Sequence, residues 1–477
     1  MGEVRKLQKK LRQIENLEIK ISLSPEEKYK ISRKAELRSR LAELQLQLSG
    51  PQQTLGIVGD GNKEKMKRQV NASAGCLAEG EQRGFSSLKA SWEKVRFRLR
   101  LLVGHNDIVT SVVAVDNLVV SGSRDTTVKV WHVPTATEQK NLGGHTGGVT
   151  CLSAPPLEYC RRLARSLSLS DRDRFILSGS ADCSVKIWAL SIGQCVKSIY
   201  TFNAVTALSF APDGDGYIIT GSDGGKVQAW SWHTFQNCQS VKAHEEAVTS
   251  IQSQGPLVFS ASAEGGVSVW ENRRSEREPL KLLHHWSSQV TGLSRRPGGR
   301  LMLSPRGDRV LLAYGQASIK ILHWRTGVIS RLTNHSSITG VTDCVHQTGG
   351  ILIGSCYDLA NGESSLNLFS LPQCRYLASL TWPDAPRILC FAAWTTSSGD
   401  HRWVTGGRDL IAWEQLPSSG KNRGDVTVKR NTLMDTTVLE SEGDTEEDED
   451  TNDYEDNEDR GAEEDGSPDS WLRCVLQ

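Results

Sequence analysis

The feature that most constrains this chain is a motif that occurs twice in full, at residues 104–132 and at residues 144–189. Each copy begins with Gly-His, reaches Ser-Gly-Ser-x-Asp after a short apolar segment, and ends in alternating residues that lead to Trp. Short alternating segments between turn residues favour antiparallel strands over helices. Self-similarity of this kind indicates a repeat architecture, in which each unit needs its neighbours to bury a core.

The motif supplies side chains that can satisfy one another inside a sheet. A His before the first strand can bond a Ser on the second, an Asp in the next turn can orient the His, and a Trp on the third strand packs over the group. These tetrads are predicted to be His105, Ser121, Asp125 and Trp131 in the first copy, and His145, Ser178, Asp182 and Trp188 in the second. A His-Ser-Asp trio also suggests a hydrolase, but its recurrence at the same spacing indicates core structure.

Both copies resemble the WD repeat, and the resemblance extends over roughly residues 98–416. It implies a β-propeller whose blades are four-stranded antiparallel sheets. Five further units each keep part of the motif: residues 201–240 with Ser222, Gly224 and Trp230; His244 to Trp270 with Glu264; His284 to Trp324; His335 to Phe369; and Leu380 to Trp413 with Asp409. The expected fold is therefore all-β with seven blades, and a finer division into eight is the alternative.

The ends of the repeat region predict how the ring closes. Residues 95–102 alternate with period two just before the first Gly-His, as a strand does. The seventh unit supplies only three strands, so this segment is expected to be the outer strand of the last blade. Pairing the two ends removes an exposed sheet edge. The predicted propeller spans residues 91–416.

Residues 1–50 are predicted to form a helical hairpin or coiled coil. Apolar residues recur at steps of three and four from Val4 to Ile21, and Ser24-Pro25-Glu26-Glu27 gives a capping box for a second helix. Dimerisation through the apolar seam is one interpretation. The other is a resemblance: KKLRQIENLEIKI and AELRSRLAELQLQL are similar to a segment shared by the C-termini of a Mago–Y14 partner protein and of a eukaryotic initiation factor. That resemblance implies contact with a ribosome or an RNA–protein complex.

Two flanking segments are predicted to lack regular structure. Residues 51–90 mix Gly, Gln, Asn, Ser and Lys without a period, as a flexible linker does. Residues 417–477 are expected to be a disordered acidic tail, because residues 435–470 contain 18 Asp and Glu against one Arg. The tail either keeps the protein soluble or contacts basic partners. Its last residues, from Cys474 to Gln477, match a prenylation site of the farnesyl type.

An insertion within the second unit, residues 155–174, is basic and rich in Ser. It is expected to be a solvated loop. The alternative is a partner-docking or phosphorylated loop, because Arg165 precedes Ser168 by three residues and a phosphate beside several Arg would re-order the segment.

Composition narrows the class of protein. The 11 cysteines are scattered without a C-x-x-C pair, which disfavours a disulfide framework or a zinc site and favours reduced thiols in the cytoplasm or nucleus. The first residues lack the apolar run of a signal peptide, and no stretch of 18 apolar residues is present. No phosphate loop, metal-ligand spacing or unexplained acid–base pair is found. We therefore expect no catalytic residue, metal or cofactor, and a protein that is not an enzyme.

The expected function is an intracellular scaffold or adaptor that binds other proteins through the propeller rims and the N-terminal coiled coil. A second hypothesis is a substrate receptor of a cullin-4 ubiquitin ligase. The end of the fourth unit, VSVWENR, is similar to the W-D-x-R box that docks propellers on the cullin-4 adaptor. Trp270 and Arg273 match this box, whereas Glu271 replaces its Asp. A ribosome- or ribonucleoprotein-associated factor is the third hypothesis.

Overall fold

A computed structural model describes residues 6–7, 10–11, 13–14, 17, 24–48, 72–275, 277–293, 300–335, 339–417, 424–431, 434 and 440–441. The described strands form seven antiparallel sheets. The innermost strand of each sheet contacts the innermost strand of the next, and the last contacts the first. The sheets are therefore the blades of a closed seven-bladed propeller.

The first strand, β1 (Phe97–Leu101), precedes blade one. Blade one comprises β2 (Val109–Val115), β3 (Leu118–Ser123), β4 (Val128–His132) and β5 (Thr137–Leu142). Blade two comprises β6 (Val149–Ser153), β7 (Phe175–Ser180), β8 (Ser184–Ala189) and β9 (Gln194–Tyr200). Blade three comprises β10 (Val205–Ala211), β11 (Tyr217–Ser222), β12 (Lys226–Ser231) and β13 (Asn237–Lys242). Blade four comprises β14 (Val248–Gln254), β15 (Leu257–Ser262), β16 (Val267–Asn272) and β17 (Leu280–Trp286).

The last three blades depart from four consecutive strands. Blade five comprises β18 (Met302–Arg306), β19 (Arg309–Ala313), β20 (Ser318–His323) and β21 (Ile329–Thr333), with a fifth strand added at its outer edge. Blade six has an interrupted inner strand, β22 (Gly340–Val341) and β23 (Val345–Thr348), followed by β24 (Ile351–Asp358), β25 (Ser364–Ser370) and β26 (Arg375–Thr381). Blade seven comprises β27 (Ile388–Thr395), β28 (His401–Gly407), β29 (Ile411–Gln415) and β1.

The strand that precedes blade one completes blade seven. β1 pairs antiparallel with β29, from Phe97 opposite Gln415 to Leu101 opposite Ile411. Phe97 is fully buried, and its ring centroid lies 4.6 Å from that of Trp403. The predictions of seven blades and of closure by residues 95–102 are confirmed, and the eight-blade alternative is wrong.

Threonines near the start of the inner strands join the first blades to one another. The hydroxyl of Thr110 lies 2.5 Å from the carbonyl oxygen of Val149 in blade two. Thr150, Thr206 and Thr249 reach the carbonyl of the next blade in the same way, at 2.5–2.9 Å. At the junctions around blade seven, cysteine thiols reach the carbonyl of the next blade instead of threonine hydroxyls. Cys344 lies 3.9 Å from the carbonyl of Ile388, and Cys390 lies 3.7 Å from that of Val109.

The predicted start of the fifth unit was wrong, and in the sixth unit the residue next to the predicted histidine takes its place. His284 lies in β17, the outer strand of blade four, and not in the loop that leads into blade five. In blade six the buried residue at this place is Asn334, which precedes the predicted His335. The Asn334 amide donates to Thr342 Oγ1 and to the carbonyl of Ser355, both at 2.8 Å. An amide, like an imidazole, can donate and accept hydrogen bonds, so Asn can take the place of the histidine in the repeat motif.

Five helices with defined bounds precede the propeller or connect its strands: α1 (Pro25–Ser32), α2 (Lys34–Leu48), α3 (Ala72–Glu93), α4 (Leu157–Ser166) and α5 (Ser288–Thr291). The described residues between positions 6 and 17 are also helical. The capping box before α1 is present, because Ser24 Oγ accepts from the Glu27 backbone and the Glu27 carboxylate accepts from the Ser24 backbone. The predicted second helix is interrupted at Arg33.

The apolar seam of the N-terminal helices packs within the same chain. Leu7, Leu11 and Leu41 are buried together, and Leu37 and Ala360 pack against them. Ala360 belongs to the turn between β24 and β25, so the helices lie against blade six. The described seam residues therefore pack within the chain, against one another and against Ala360, whereas a plain dimeric coiled coil would leave them for a second copy.

The predicted linker and the predicted loop both contain helices. α3 occupies part of residues 51–90, and its Phe85 and Leu88 pack against the cluster that holds Phe97. The linker prediction was therefore wrong for residues 72–90, while residues 51–71 lie outside the described part. α4 occupies residues 157–166 of the insertion and buries Tyr159, Cys160, Leu163 and Ala164. The solvated-loop prediction was wrong there. The apolar residues on one face of the helix alternate with charged residues in the sequence, so they did not indicate a buried segment.

Part of the predicted disordered tail lies along the propeller. We call the described residues 424–431, 434 and 440–441 the C-terminal strap. Within it, β30 (Thr427–Lys429) pairs with β26 of blade six, and β31 (Glu440–Ser441) pairs with β21 of blade five. The Asp425 backbone N–H donates to the carbonyl of Phe97 at 2.8 Å, and Met434 is buried between blades five and six. The prediction of disorder was wrong for the described strap residues, and residues 442–477 lie outside the described part.

Loss of the closing strand should destabilise the whole propeller. A chain that begins at Gly104 should melt at least about 10 °C below one that begins at Ser91, because it lacks the buried Phe97 and the partner of β29. The point variant Phe97→Ala should lower the free energy of unfolding by about 3–5 kcal/mol. Circular dichroism melting measures both, and equal melting temperatures for the two chains would contradict closure by β1.

Candidate functional site

The four predicted tetrad residues of blade one form one hydrogen-bonded group. His105 Nδ1 lies 2.9 Å from Asp125 Oδ2, and Nε2 lies 2.7 Å from Ser121 Oγ. The Trp131 indole donates to the same Ser121 oxygen at 2.8 Å. Burial alone would raise the pKa of Asp125, but hydrogen bonds from His105 and from the adjoining turn outweigh it and hold that pKa far below its usual value. The carboxylate therefore stays ionised beside the imidazole.

Blade two repeats this geometry. His145 lies 2.8 Å from Asp182 and 2.7 Å from Ser178, and the Trp188 indole donates to Ser178 at 2.8 Å. Burial lowers the pKa of His145 despite the hydrogen bond to Asp182. Hydrogen bonds from Ser184 and His145 overcome the effect of burial and lower the pKa of Asp182.

Both tetrads are closed to a substrate. Ser121 and Ser178 are fully buried, and each hydroxyl already contacts a His and a Trp. The group ties the loop before the inner strand to the turn between the second and third strands. Its geometry is that of a structural brace, and the same atoms recur in two blades.

Blade four keeps a weaker version of the tetrad. His244 lies 2.9 Å from Ser260, to which Trp270 also donates at 3.0 Å. The Glu264 carboxylate stays 3.8 Å from His244 Nδ1, so that buried nitrogen has no hydrogen-bond partner. Burial, with the charges of His285 and Lys242, lowers the pKa of His244 to about 3.

Blades three and seven replace the serine by threonine. Trp230 donates to Thr220 at 3.1 Å, and Trp413 donates to Thr405 at 3.1 Å. The predicted Ser222 is not the tryptophan's partner in blade three. The prediction required Ser at this position of the motif and therefore missed Thr220, although Thr offers the same hydroxyl.

The two residues that match the ligase box lie in different environments. Trp270 is buried, so it cannot contact a partner. Arg273 is about half exposed in the turn between β16 and β17, and its Nε lies 3.0 Å from Glu271. The structure therefore leaves Arg273 as the accessible member of the pair.

An exposed aromatic pair, Tyr200 and Phe202, lies where blade two leads into blade three. Their side chains are 60% and 75% exposed, and the ring centroids are 5.1 Å apart in an edge-on arrangement. Thr201 stands between them and bonds the carbonyl of Cys183 through both its backbone N–H and its hydroxyl. Phe202 has a φ of 68°, a left-handed conformation that non-glycine residues rarely adopt.

Sequence reasoning missed this pair, although a signal was present. Aligned on the inner strands, Phe202 takes the place that Asn106 and Thr146 hold after the histidines of blades one and two. A large apolar side chain at a place where sibling repeats have small polar ones indicates a contact made by this blade alone.

The N-terminal helices present a basic surface beside blade six. Lys6, Lys10, Lys28 and Lys30 are exposed. Arg38 is not part of this surface, because its guanidinium donates to the Tyr357 hydroxyl. The basic face is therefore narrower than the sequence of residues 1–50 suggests.

The cysteines, the possible metal ligands and the apolar helices do not indicate a further functional site within the described residues. Cys474 lies outside them. Eight cysteines of the described part are free thiols: Cys151, Cys160, Cys183, Cys195, Cys344, Cys356, Cys374 and Cys390. Among the described residues, no group of three or more His, Cys, Asp or Glu is placed to hold a metal ion. No helix in that part of the chain is long and apolar enough to cross a membrane.

Comparison with known proteins agrees with the repeats. The profile of the WD domain, G-beta repeat family matches residues 97–132, 136–189, 193–231 and 235–271. The chain is similar to the nuclear distribution protein nudF of Emericella nidulans, with 23% identity over 44% of this chain and 60% of nudF. It is 26% identical to the pre-mRNA-processing factor 19 homolog 2 of Arabidopsis thaliana over 57% of this chain and 48% of that protein. It is 24% identical to telomerase protein component 1 of Rattus norvegicus over 64% of this chain, which spans only 11% of that protein.

The tetrad of blade one should contribute measurably to stability. Asp125→Ala should lower the free energy of unfolding by about 1–3 kcal/mol, because it leaves His105 buried without its acceptor. Glu264→Ala in blade four is the matched control and should cost less, since Glu264 makes no hydrogen bond to His244. Urea unfolding measures both variants, and equal losses would contradict a bracing role for the carboxylate.

The buried His244 should make the propeller sensitive to acid. Its pKa of about 3 in the folded chain lies below the ordinary value of about 6.5, so the unfolded chain binds an extra proton between these pH values. Stability should therefore fall as the pH drops from about 6.5, by about 2 kcal/mol per such histidine at about pH 5.

Urea unfolding between about pH 7.5 and pH 5 tests this contribution. His244→Gln should reduce the pH dependence by about one proton, whereas His233→Gln, at an exposed position, should leave it unchanged. An unaltered pH dependence in His244→Gln would assign the acid sensitivity to other groups.

Proposed function

Because the propeller of this chain carries WD repeats, we propose that the protein is a non-catalytic scaffold that binds other proteins through the loops of one propeller face. The observation that carries the proposal is the exposed pair Tyr200 and Phe202. Aromatic side chains are enriched at the centre of protein interfaces, because they bury much area at little cost in side-chain entropy.

The backbone of Phe202 supports a binding role for its side chain. A left-handed φ costs an L-amino acid about 1–2 kcal/mol, and Asn tolerates it better than Phe. The ring covers no core, since three quarters of it are exposed. An unfavourable conformation that serves no core packing is typical of residues that contact a partner.

The variant Phe202→Asn separates binding from folding. It should keep or slightly raise the melting temperature, because Asn fits the left-handed conformation, while partners that use this face are lost. Ile192→Ser is the matched control, because it removes an exposed apolar side chain from the opposite face, in the turn between β8 and β9. Quantitative affinity purification with mass spectrometry, on the full chain and both variants, measures the loss.

If Phe202→Asn folds normally and retains every partner of the wild-type chain, this face is not the binding surface. The same purification tests the ubiquitin-ligase hypothesis. Of the two residues that match the ligase box, Arg273 is the accessible one. Recovery of the cullin-4 adaptor with the wild-type chain and its loss with Arg273→Ala would support a receptor role. Absence of that adaptor from the wild-type sample would exclude it.

A second proposal assigns the N-terminal helices to an RNA–protein complex or ribosome. Two relatives are named for pre-mRNA processing and for telomerase. The helices expose Lys6, Lys10, Lys28 and Lys30, while the leucines in the described part of their seam pack against one another and against one residue of blade six. Covered leucines and exposed lysines favour contact with phosphate over self-association through the seam.

Charge reversal distinguishes the two roles of the helices. Lys10→Glu with Lys28→Glu should reduce co-sedimentation with ribosomes, because each phosphate contact releases counterions and makes binding steeply dependent on salt. Lys226→Glu with Lys281→Glu alters two exposed lysines of the propeller and is the control. A wild-type chain that stays at the top of the sucrose gradient at low salt would end the ribosome proposal.

The free thiols support a location in a reducing compartment, the cytoplasm or the nucleus. Fluorescence microscopy of the tagged chain tests this location, and secretion into the medium would contradict it.

A further inference from the structure

The outer edges of the blades differ in what covers them. The C-terminal strap follows the edges of three consecutive blades: Asp425 bonds β1 of blade seven, β30 pairs with β26 of blade six, and β31 pairs with β21 of blade five. Among the described residues, blades one to four have no fifth strand. We call their outer strands β5, β9, β13 and β17 the open edges. β17 of blade four is the open edge that follows directly on the strap.

β17 carries exposed leucines where the other open edges are different. The residue opposite the motif tryptophan in β17 is Leu282. The same position of the other three open edges holds a polar or small side chain: Glu138, Cys195 and Asn237. Leu282 and the following Leu283 are 47% and 37% exposed. Native proteins usually protect an uncovered edge with charge or a short strand, because an apolar edge readily pairs with another chain.

The backbone of β17 is satisfied on its outer side at its first residue. The Gln239 side chain of blade three donates to the carbonyl of Leu280 at 2.9 Å and accepts from the Leu280 N–H at 2.7 Å. For residues 281–286, the described part of the chain supplies β16 as the pairing strand on the inner side and no strand on the outer side. The outward N–H and C=O groups of this stretch can therefore receive a further strand.

The strap shows how a fifth strand binds to a blade of this propeller. β30 pairs antiparallel with residues 379–381 of β26, and the residues of β17 at the same positions are 285–287. The strap also supplies apolar side chains beside the outer strands. Val428 packs against the cluster that holds Phe97, and Met434 is buried between blades five and six. A strand that covers β17 in the same way needs apolar residues of its own.

We propose that the open edge of β17 binds an extended segment of a partner protein, which pairs antiparallel with residues 281–286 as the fifth strand of blade four. Main-chain hydrogen bonds hold the segment, and apolar residues at its alternate positions cover Leu282 and Leu283. The proposal rests on the scaffold function. It adds a second binding surface, at the circumference of the propeller, to the loops that carry Tyr200 and Phe202.

Three variants separate recognition from folding. Leu282→Lys should weaken binding of such a segment about tenfold or more, because it places a charge where the partner's apolar residues must pack. Leu282→Ile keeps an apolar side chain and should retain the affinity within about threefold. Cys195→Lys is the matched control, because Cys195 is exposed at the same position of β9 in blade two. Melting temperatures of the three variants show that the propeller is intact.

The probe is a phage-displayed library of short random peptides, selected on the full wild-type chain and counter-selected on Leu282→Lys. Discriminating peptides are synthesised, and their affinities are measured by fluorescence polarisation. We expect apolar residues at alternate positions. A strand at the edge of a sheet uses every second backbone N–H, so methylation of single peptide nitrogens should abolish binding at alternate positions and affect it little between them.

Hydrogen exchange of the full chain locates the bound peptide. Residues 281–286 should become protected when the peptide binds, because their outward N–H groups then acquire acceptors. An absence of discriminating peptides, a methylation scan without alternation, or protection confined to other strands would overturn the proposal. Self-association of the wild-type chain that is lost in Leu282→Lys, measured by sedimentation equilibrium, would assign the edge to a second copy and would also overturn it.

Failure of this site and failure of the scaffold function give different results. Peptides that bind through Tyr200 and Phe202 should be insensitive to Leu282→Lys and sensitive to Phe202→Asn. Their presence without Leu282-dependent peptides would overturn the edge site alone, whereas the absence of both kinds would contradict the scaffold function as well.

Discussion

The antiparallel pairing of β1 with β29 is the interaction on which the rest of the structure depends. Each blade touches only its two neighbours, so a gap at one junction would expose two sheet faces. The pairing covers the edge of β29 and buries Phe97 beneath Trp403. It also determines where the flanking segments lie, because α3 precedes β1 and the C-terminal strap begins on its outer side. For the same reason Arg100 reaches Glu414 of blade seven.

The junctions show a second dependence on the ring. In the first four blades a threonine hydroxyl reaches the backbone of the next blade, whereas Cys344 and Cys390 do so around blade seven. Burial raises the pKa of Cys344 to about 12, so this thiol stays protonated and behaves as a small apolar side chain. The blades that close the ring are thus joined mainly by packing and by β1, and less by hydroxyl hydrogen bonds.

The strongest parts of the fold could be predicted because local sequence decides them. The tetrads of blades one and two have full motifs, and the alternation of residues 95–102 specifies a strand with one apolar face. In other blades a different type of side chain takes the role of a tetrad residue, as Asn334 does in blade six and Thr220 does in blade three. The helix α4 and the strap were missed for a different reason. A few apolar residues, such as Tyr159 and Met434, lie among charged ones, and only a neighbouring surface makes their burial favourable.

The binding features were harder to predict than the fold, because the exposure of side chains and of strand edges depends on residues distant in sequence. Phe202 is identified as unusual only once its backbone conformation and exposure are seen. The leucines of β17 indicate an edge site only once the strap is seen to cover the neighbouring blades. Motif matching pointed instead to Trp270, which the fold buries.

The position of β1 also has a consequence for synthesis of the protein. The strand leaves the ribosome early, but its partner β29 ends at Gln415, about 300 residues later. At about 5–20 residues per second, β1 waits roughly 15–60 seconds with its hydrogen-bonding edge unpaired. During that time the completed blades form an open arc, and one unsatisfied strand is available to chaperones or to a neighbouring nascent chain. The newborn polypeptide is therefore most vulnerable to mispairing just before its final blade emerges.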